Sequence, residues 1–296
     1  MGNKYSIIIP ARNEARTLGA LLRELAGHYP DAEIIVVNDG SEDDTAMVAS
    51  GAGARVISSP YSMGNGAAIK AGAREASGDI LIFMDADGQH LSSEIDKLLQ
   101  VMAEGYDMVV GARNIKSHAS GARYFANVFY NWFASWVSGH RVRDLTSGFR
   151  AVRADKFREF LYMLPNGFSY PTTITMALFR AGYRIAYVPV DVGMREGRSH
   201  IRPLVDGIRF LLIIFKVGTL YTPLKIFFPA SAFFFLSGLS YYAYTYITYN
   251  RFTNMSMLLF ITSVIIFLIG LISEQLTVLL YSSSQHQRNG KWKSEQ

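Results

Sequence analysis

The stretch DADGQH, residues 85–90, sets two carboxylates one residue apart directly after the apolar run ILIFM. Carboxylates at i and i+2 of an extended chain point to opposite faces, so within a strand they could not share a ligand. At a strand's end the chain turns, and Gly88 makes that turn easy. Asp85 and Asp87 could then serve one ligand, one on a cation and the other on a neighbouring group. Hard oxygen donors of this kind suit Mg²⁺ or Mn²⁺, with phosphate oxygens filling the remaining positions. An isolated acidic pair could equally cap a helix. The surrounding pattern favours the cation, because Glu14 and Asp39 also fall where apolar runs end.

Apolar runs at residues 5–9, 33–37, 55–59, 80–84 and 107–112 alternate with segments of helical period, such as the one carrying Leu18, Leu21, Leu22 and Leu25. Short buried strands alternating with helices predict an α/β fold built on a mostly parallel sheet covered on both faces. Ligands of such sheets bind at the carboxyl ends of the strands. Three polar clusters, PARNE after strand 1, NDGS after strand 2 and DADGQH after strand 4, therefore converge on one edge. Asp39 is a candidate acceptor for a nucleotide base or ribose, or a plain turn residue.

Of 296 residues, 50% are hydrophobic and only 18% charged, which is apolar for a soluble enzyme. Residues 226–249 carry no charge, and residues 255–281 carry only Glu274; each stretch exceeds the roughly 20 residues that span a bilayer. The short link between them predicts an antiparallel transmembrane hairpin. Lys216 and Lys225 before it, and Arg288, Lys291 and Lys293 after it, outnumber the single Arg251 of the turn, which puts both ends in the cytoplasm. The opening MGNKYSIIIP has too short an apolar core for a secretory signal. A net charge of +5 then fits anionic membrane lipid better than nucleic acid, and the absence of cysteine excludes disulfides and thiolate metal sites.

Taken in order, SIIIPARNEARTL, IIVVNDGSEDDT, GNGAAIKAG, ILIFMDADGQH, VVGAR and DLTSGFRA resemble the inverting family 2 glycosyltransferases of the GT-A fold. Within that family they are similar to the polyprenyl-phosphate glycosyltransferases akin to dolichol-phosphate mannose synthase, over roughly residues 5–220. The resemblance implies that Pro10, Ala11, Asn13, Glu14 and Asp39 hold the nucleotide of a nucleotide diphosphate sugar, UDP-sugar or GDP-mannose. It implies that Asp85 contacts nucleoside or metal, that Asp87 and Gln89 hold Mg²⁺ or Mn²⁺, and that Arg113, Arg143, Ser147 and Arg150 face phosphates. A cytoplasmic GT-A domain over 1–193, a juxtamembrane amphipathic segment over 194–225, two transmembrane helices over 226–281 and a basic tail over 282–296 follow. A homo-oligomer is compatible with this organisation.

Many relatives place a carboxylate after the S-G-F-R segment to serve as base toward a hydroxyl acceptor, yet residues 166–182 contain no Asp or Glu. A phosphate monoester needs no base, being largely dianionic near neutral pH. The expected acceptor is accordingly a polyprenyl phosphate, undecaprenyl or dolichyl, its headgroup met by Arg150, Arg195, Arg198, His200 and Arg202. The alternatives are a hydroxyl acceptor or a membrane protein that binds nucleotide sugars without catalysis.

Overall fold

The computed structural model describes residues 4–88, 92–113, 121–167, 169–191, 212, 215, 218, 219 and 221–294, with backbone alone for 121–127 and 280–294. The chain forms two compact units, Met1–Asp206 and Gly207–Gln296.

In the first unit, β1 (Tyr5–Ala11), β2 (Glu33–Asp39), β3 (Arg55–Ser59), β4 (Ile80–Phe83) and β5 (Met108–Arg113) occupy the apolar runs named above. They alternate with α1 (Ala15–His28), α2 (Thr45–Gly51), α3 (Asn65–Glu75) and α4 (Glu94–Ala103). After α5 (Gly121–Ser138) come β6 (Arg150–Arg153), α6 (Ala154–Arg158), a 3-10 turn (Leu161–Met163), α7 (Tyr170–Arg180) and β7 (Ile185–Val190). The seven strands lie in the order β3-β2-β1-β4-β6-β5-β7. All pairings are parallel except those of β6, which runs against β4 and β5. Pro189, which cannot donate to a ladder, is accommodated because β7 lies at the sheet's edge.

Both faces of the sheet are covered, as expected of a parallel core. Ile7, Ile9, Val36 and Ile82 pack with Leu18, Leu21, Leu22 and Leu25 of α1 and with Ile95, Leu98 and Met102 of α4. Four buried leucines at about 1.5–3 kcal/mol each contribute on the order of 6–12 kcal/mol to docking α1, before chain entropy is set against it. On the opposite face α3 approaches so closely that a Cβ at Gly72 would lie 2.5 Å from Cγ2 of Ile8.

The second unit is a helical hairpin. α8 (Pro223–Tyr249) starts on a proline, contains Pro229 and ends at Asn250 in the left-handed conformation; α9 (Asn254–Ser294) follows, helical through the segment read as a basic tail. Pro223–Tyr249 and Asn254–Leu279 are long and apolar enough to cross a membrane. The helices meet through small residues. Ser231 and Ser263 exchange hydroxyl-to-carbonyl bonds of 3.0 Å each way, and a Cβ at Gly270 would lie 2.7 Å from Cβ of Phe227. Such contacts hold apolar helices together where lipid offers no hydrophobic contrast.

Candidate active site

Strands β1, β2, β4 and β5 are parallel, so Ala11, Asp39, Phe83 and Arg113 end at one edge of the sheet. Because β6 is antiparallel, the turn leading into it, residues 144–149, lies at that same edge. The candidate site is therefore built from four strand ends and this turn.

The turns after β1 and β2 are laced together. Asn13 takes a left-handed conformation (φ 56°), tolerated by asparagine. Its N–H donates to Ser41 Oγ at 3.0 Å, and its Oδ1 accepts from Glu42 N at 2.9 Å. Asp43 accepts from the N–H of Ala15 and of Thr45, joining the N-termini of α1 and α2. Thr17 Oγ1 donates to the carbonyl of Ala86 at 3.0 Å, bringing in the turn after β4. Pro10 and Ala11 lie within β1, and Ala11 is buried, so the Ala11 side chain belongs to the core.

Asp39 is buried at the end of β2, and its carboxylate accepts from Ser62 Oγ (2.8 Å), Met63 N (2.7 Å) and Gly64 N (2.9 Å). A carboxylate offers roughly four acceptor positions, so these three bonds leave room for about one further donor. The loop it holds abuts another: a Cβ at Gly64 would lie 2.6 Å from the carbonyl oxygen of Asn166, and one at Gly66 would lie 2.1 Å from that of Pro165. Lys70 Nζ donates to Leu164 O (3.0 Å) and Asn166 Oδ1 (2.5 Å), fixing α3 to the same segment.

Asp85 and Asp87 lie half-buried after β4, and Gly88 turns the chain with φ 68° and nothing crowding it. Beside them Arg113 forms a two-pronged pair with Asp144: Nε to Oδ2 at 2.8 Å and Nη2 to Oδ1 at 3.1 Å. Nη2 also donates to Thr146 Oγ1 at 2.6 Å. Burial disfavours the charge on Arg113, but Asp144, aided by Asp85, outweighs it and raises the Arg113 pKa. Burial likewise opposes ionisation of Asp144, and the hydrogen bonds and charge of Arg113 overcome it, holding the carboxyl below the usual range. Asp144 opens the segment DLTSGFRA, whose serine and arginines are the more conspicuous phosphate-binding types. Its signal was an Asp placed to cap its own turn, as its Oδ1 does for Thr146 N and Ser147 N at 3.1 Å each.

Two of the residues expected to face phosphates lie in the interior. Ser147 is buried and its hydroxyl donates to Gly111 O at 2.7 Å, which secures β5. Arg150 is fully buried and bonded to the carbonyls of Pro171 and Ser147. Arg143 is exposed, with its carbonyl bound by Asn131 Nδ2 at 2.6 Å. Gln89, Arg195, Arg198, His200 and Arg202 lie outside the described residues. Among the described residues no group of three or more His, Cys, Asp or Glu side chains could hold a metal ion. The pair Asp85 and Asp87 nevertheless fits a hard cation that takes its other ligands from a diphosphate and water, the usual manner of Mg²⁺.

Residues 6–161 match the family described as Glycosyl transferase family 2, and residues 222–279 match the GtrB C-terminal hairpin. The chain is 28% identical over 214 residues to a dolichyl-phosphate hexose transferase of Haloferax volcanii, covering 72% of this chain and 92% of the relative. It is 30% identical over 203 residues to an undecaprenyl-phosphate mannosyltransferase of Micrococcus luteus, covering 64% and 83%. Among solved structures it is similar to glucosyl-3-phosphoglycerate synthase from Mycobacterium tuberculosis in complex with Mn²⁺, UDP and glucosyl-3-phosphoglycerate. The TM-score is 0.59 at 23% identity, over 73% of this chain and 80% of the other, a likeness of GT-A fold. The chain belongs to glycosyl transferase family 2, and its first unit is a GT-A domain with a GtrB-type hairpin following it.

Proposed function

We propose that this family 2 glycosyltransferase moves one sugar from a nucleotide diphosphate sugar, UDP-sugar or GDP-mannose, to a polyprenyl phosphate, with inversion at the anomeric carbon. The observation that carries the reading is the state of the acids. Asp39 is committed to its loop, Asp144 to Arg113, and residues 166–182 supply no carboxylate. Asp144, held below the ordinary carboxyl range, is a poor proton acceptor. A nucleophile that arrives already ionised suits such a site, and a phosphate monoester does.

Asp39 and the turn at Asn13 and Glu14 would receive the nucleoside, with Arg113 beside Asp85 facing the phosphates. Asp85 and Asp87 would hold Mg²⁺ or Mn²⁺, with Gln89 as a further ligand; bound there, the cation neutralises charge on the departing diphosphate. The relatives named for dolichyl- and undecaprenyl-phosphate transfer support the acceptor, and the Mn²⁺ and UDP of the structural relative support the donor side.

The lipid acceptor also accords with surface chemistry. Val128, Phe129, Trp132 and Trp136 form an exposed apolar face on α5, suited to a membrane interface, and Arg141 and Arg143 follow it, exposed. In this reading residues 1–193 are the cytoplasmic catalytic domain, 194–225 lie at the membrane surface and present Arg195, Arg198, His200 and Arg202 to the headgroup, 226–281 span the bilayer, and 282–296 return to the cytoplasm. Purified full chain incubated with polyprenyl phosphate and radiolabelled UDP- and GDP-sugars, with Mn²⁺ or with chelator, tests the proposal. Label in the organic phase from one donor, abolished by chelator, supports it; donor binding without lipid-linked label from any donor rejects it.

A further inference from the structure

Arg150 opens β6 opposite Phe83 and Val110 and heads the fully buried side chains of the described residues. Its Nη1 donates to Pro171 O at 3.1 Å and Thr175 Oγ1 at 3.2 Å, and its Nη2 to Ser147 O. The Tyr170 ring lies 5.9 Å from the guanidinium carbon, while Nε has no hydrogen-bond partner. Every oxygen reached through these bonds belongs to a neutral group. Burying a guanidinium on such terms is costly, and an arginine cannot shed its charge to escape the cost. Packing alone would be served better by an apolar side chain.

What the fork achieves is a connection. Ser147 O belongs to the turn before β6, and Pro171 and Thr175 belong to the first turns of α7. Gly148 of the first segment lies beside Asp85, and Tyr170 of the second backs Gly148. A Cβ at Gly148 would lie 3.4 Å from Asp85 Oδ2 and 3.6 Å from the Tyr170 hydroxyl, and that hydroxyl reaches Gly148 O at 3.5 Å. We propose that Arg150 is a positioning residue for the donor side of the site: its fork ties the turn at 147–148 to the start of α7 and so sets the place of the Asp85 carboxylate. The consequence for donor binding rests on the proposed function; the tie itself does not.

Arg150→Met removes both charge and fork, and Arg150→Lys keeps the charge but cannot bridge the two carbonyls. Hydrogen–deuterium exchange on the nucleotide-free full chain should show faster exchange confined to residues 146–149 and 170–175 in both variants. With Mn²⁺ present, UDP or GDP affinity should fall by about ten- to a hundredfold, the effect typical of groups that orient a ligand-holding side chain, while the KM for polyprenyl phosphate moves less than about threefold. Faster exchange across the whole sheet would overturn the proposal in favour of a general structural role. Recovery of exchange and affinity in Arg150→Lys would overturn it in favour of charge alone, and a change confined to the acceptor KM would return Arg150 to the lipid phosphate. If the parent binds neither nucleotide, the proposed function fails, and the exchange pattern still decides whether the tie exists.

Discussion

Asp144→Ala removes the fork that grips Arg113 at 2.8 and 3.1 Å and strips the N–H groups of Thr146 and Ser147 of their acceptor at a stroke. Deleting one partner of a buried ion pair costs about 3–5 kcal/mol. The Arg113 side chain keeps 32% of its surface and can rehydrate, which lowers the figure to about 2–3 kcal/mol. At about 2–4 °C per kcal/mol for a unit of this size, the unfolding midpoint of the first unit should drop by about 4–12 °C. Asp144→Asn, which retains an acceptor oxygen for the turn, should lose about half as much. Near-UV circular dichroism of the purified full chain through thermal unfolding would measure both.

Acid adds a second signature. The folded-state pKa of Asp144 is depressed, so its stabilisation is present above the unfolded value of about 3.9 and is lost as pH falls through the lower folded value. The gap between parent and Asp144→Ala should hold steady from about pH 8 to pH 5 and close below about pH 4. A midpoint unchanged within about 1 °C, or a gap that widens on acidification, would show that the Arg113–Asp144 pair does not stabilise the fold.

Other outcomes follow from single contacts. Asp87→Asn should abolish cation-dependent transfer while membrane extraction behaviour stays as in the parent; an active variant removes Asp87 from the cation site. Gly66→Ala drives a methyl to 2.1 Å from the carbonyl oxygen of Pro165, backbone against backbone, and should cost about 2 kcal/mol or more in a urea titration of the first unit. Ser231→Ala breaks one arm of the reciprocal bond to Ser263, and detergent-induced unfolding should register a loss of about 0.6–1.7 kcal/mol.

How far the sequence could be read depended on what each residue's signal was. Four of the first five strands carry an apolar run of three residues or more, while β3, Arg-Val-Ile-Ser-Ser, is marked by the helical periods on either side of it, and each is found in the structure. β6 lacks such a frame: Arg-Ala-Val-Arg begins and ends in charge and follows the turn segment 139–149 rather than a helical period. β7 contains Pro189, which argues against a strand unless its place at the edge is known. The convergence of Asp39, Asp85 and Arg113 on one edge followed from parallel topology alone. The recruitment of residues 144–149 did not, since it requires β6 to be antiparallel. Ser147 and Arg150 look like phosphate ligands by residue type, and only burial distinguishes a hydroxyl spent on Gly111 O, or a guanidinium spent on Ser147 O, from one presented to solvent.

Among the described residues Asp39 and Asp144 are held by other groups, so the acceptor is expected to bring its own charge. One measurement tests this most directly: sugar transfer by the purified full chain, with its preferred donor and Mn²⁺, to a polyprenyl phosphate and to the free prenol of the same length, side by side near neutral pH. Transfer to the phosphate, with none above background to the prenol, is the predicted result. Comparable transfer to the prenol would show that a general base operates in the site and that the acceptor's own charge is not required.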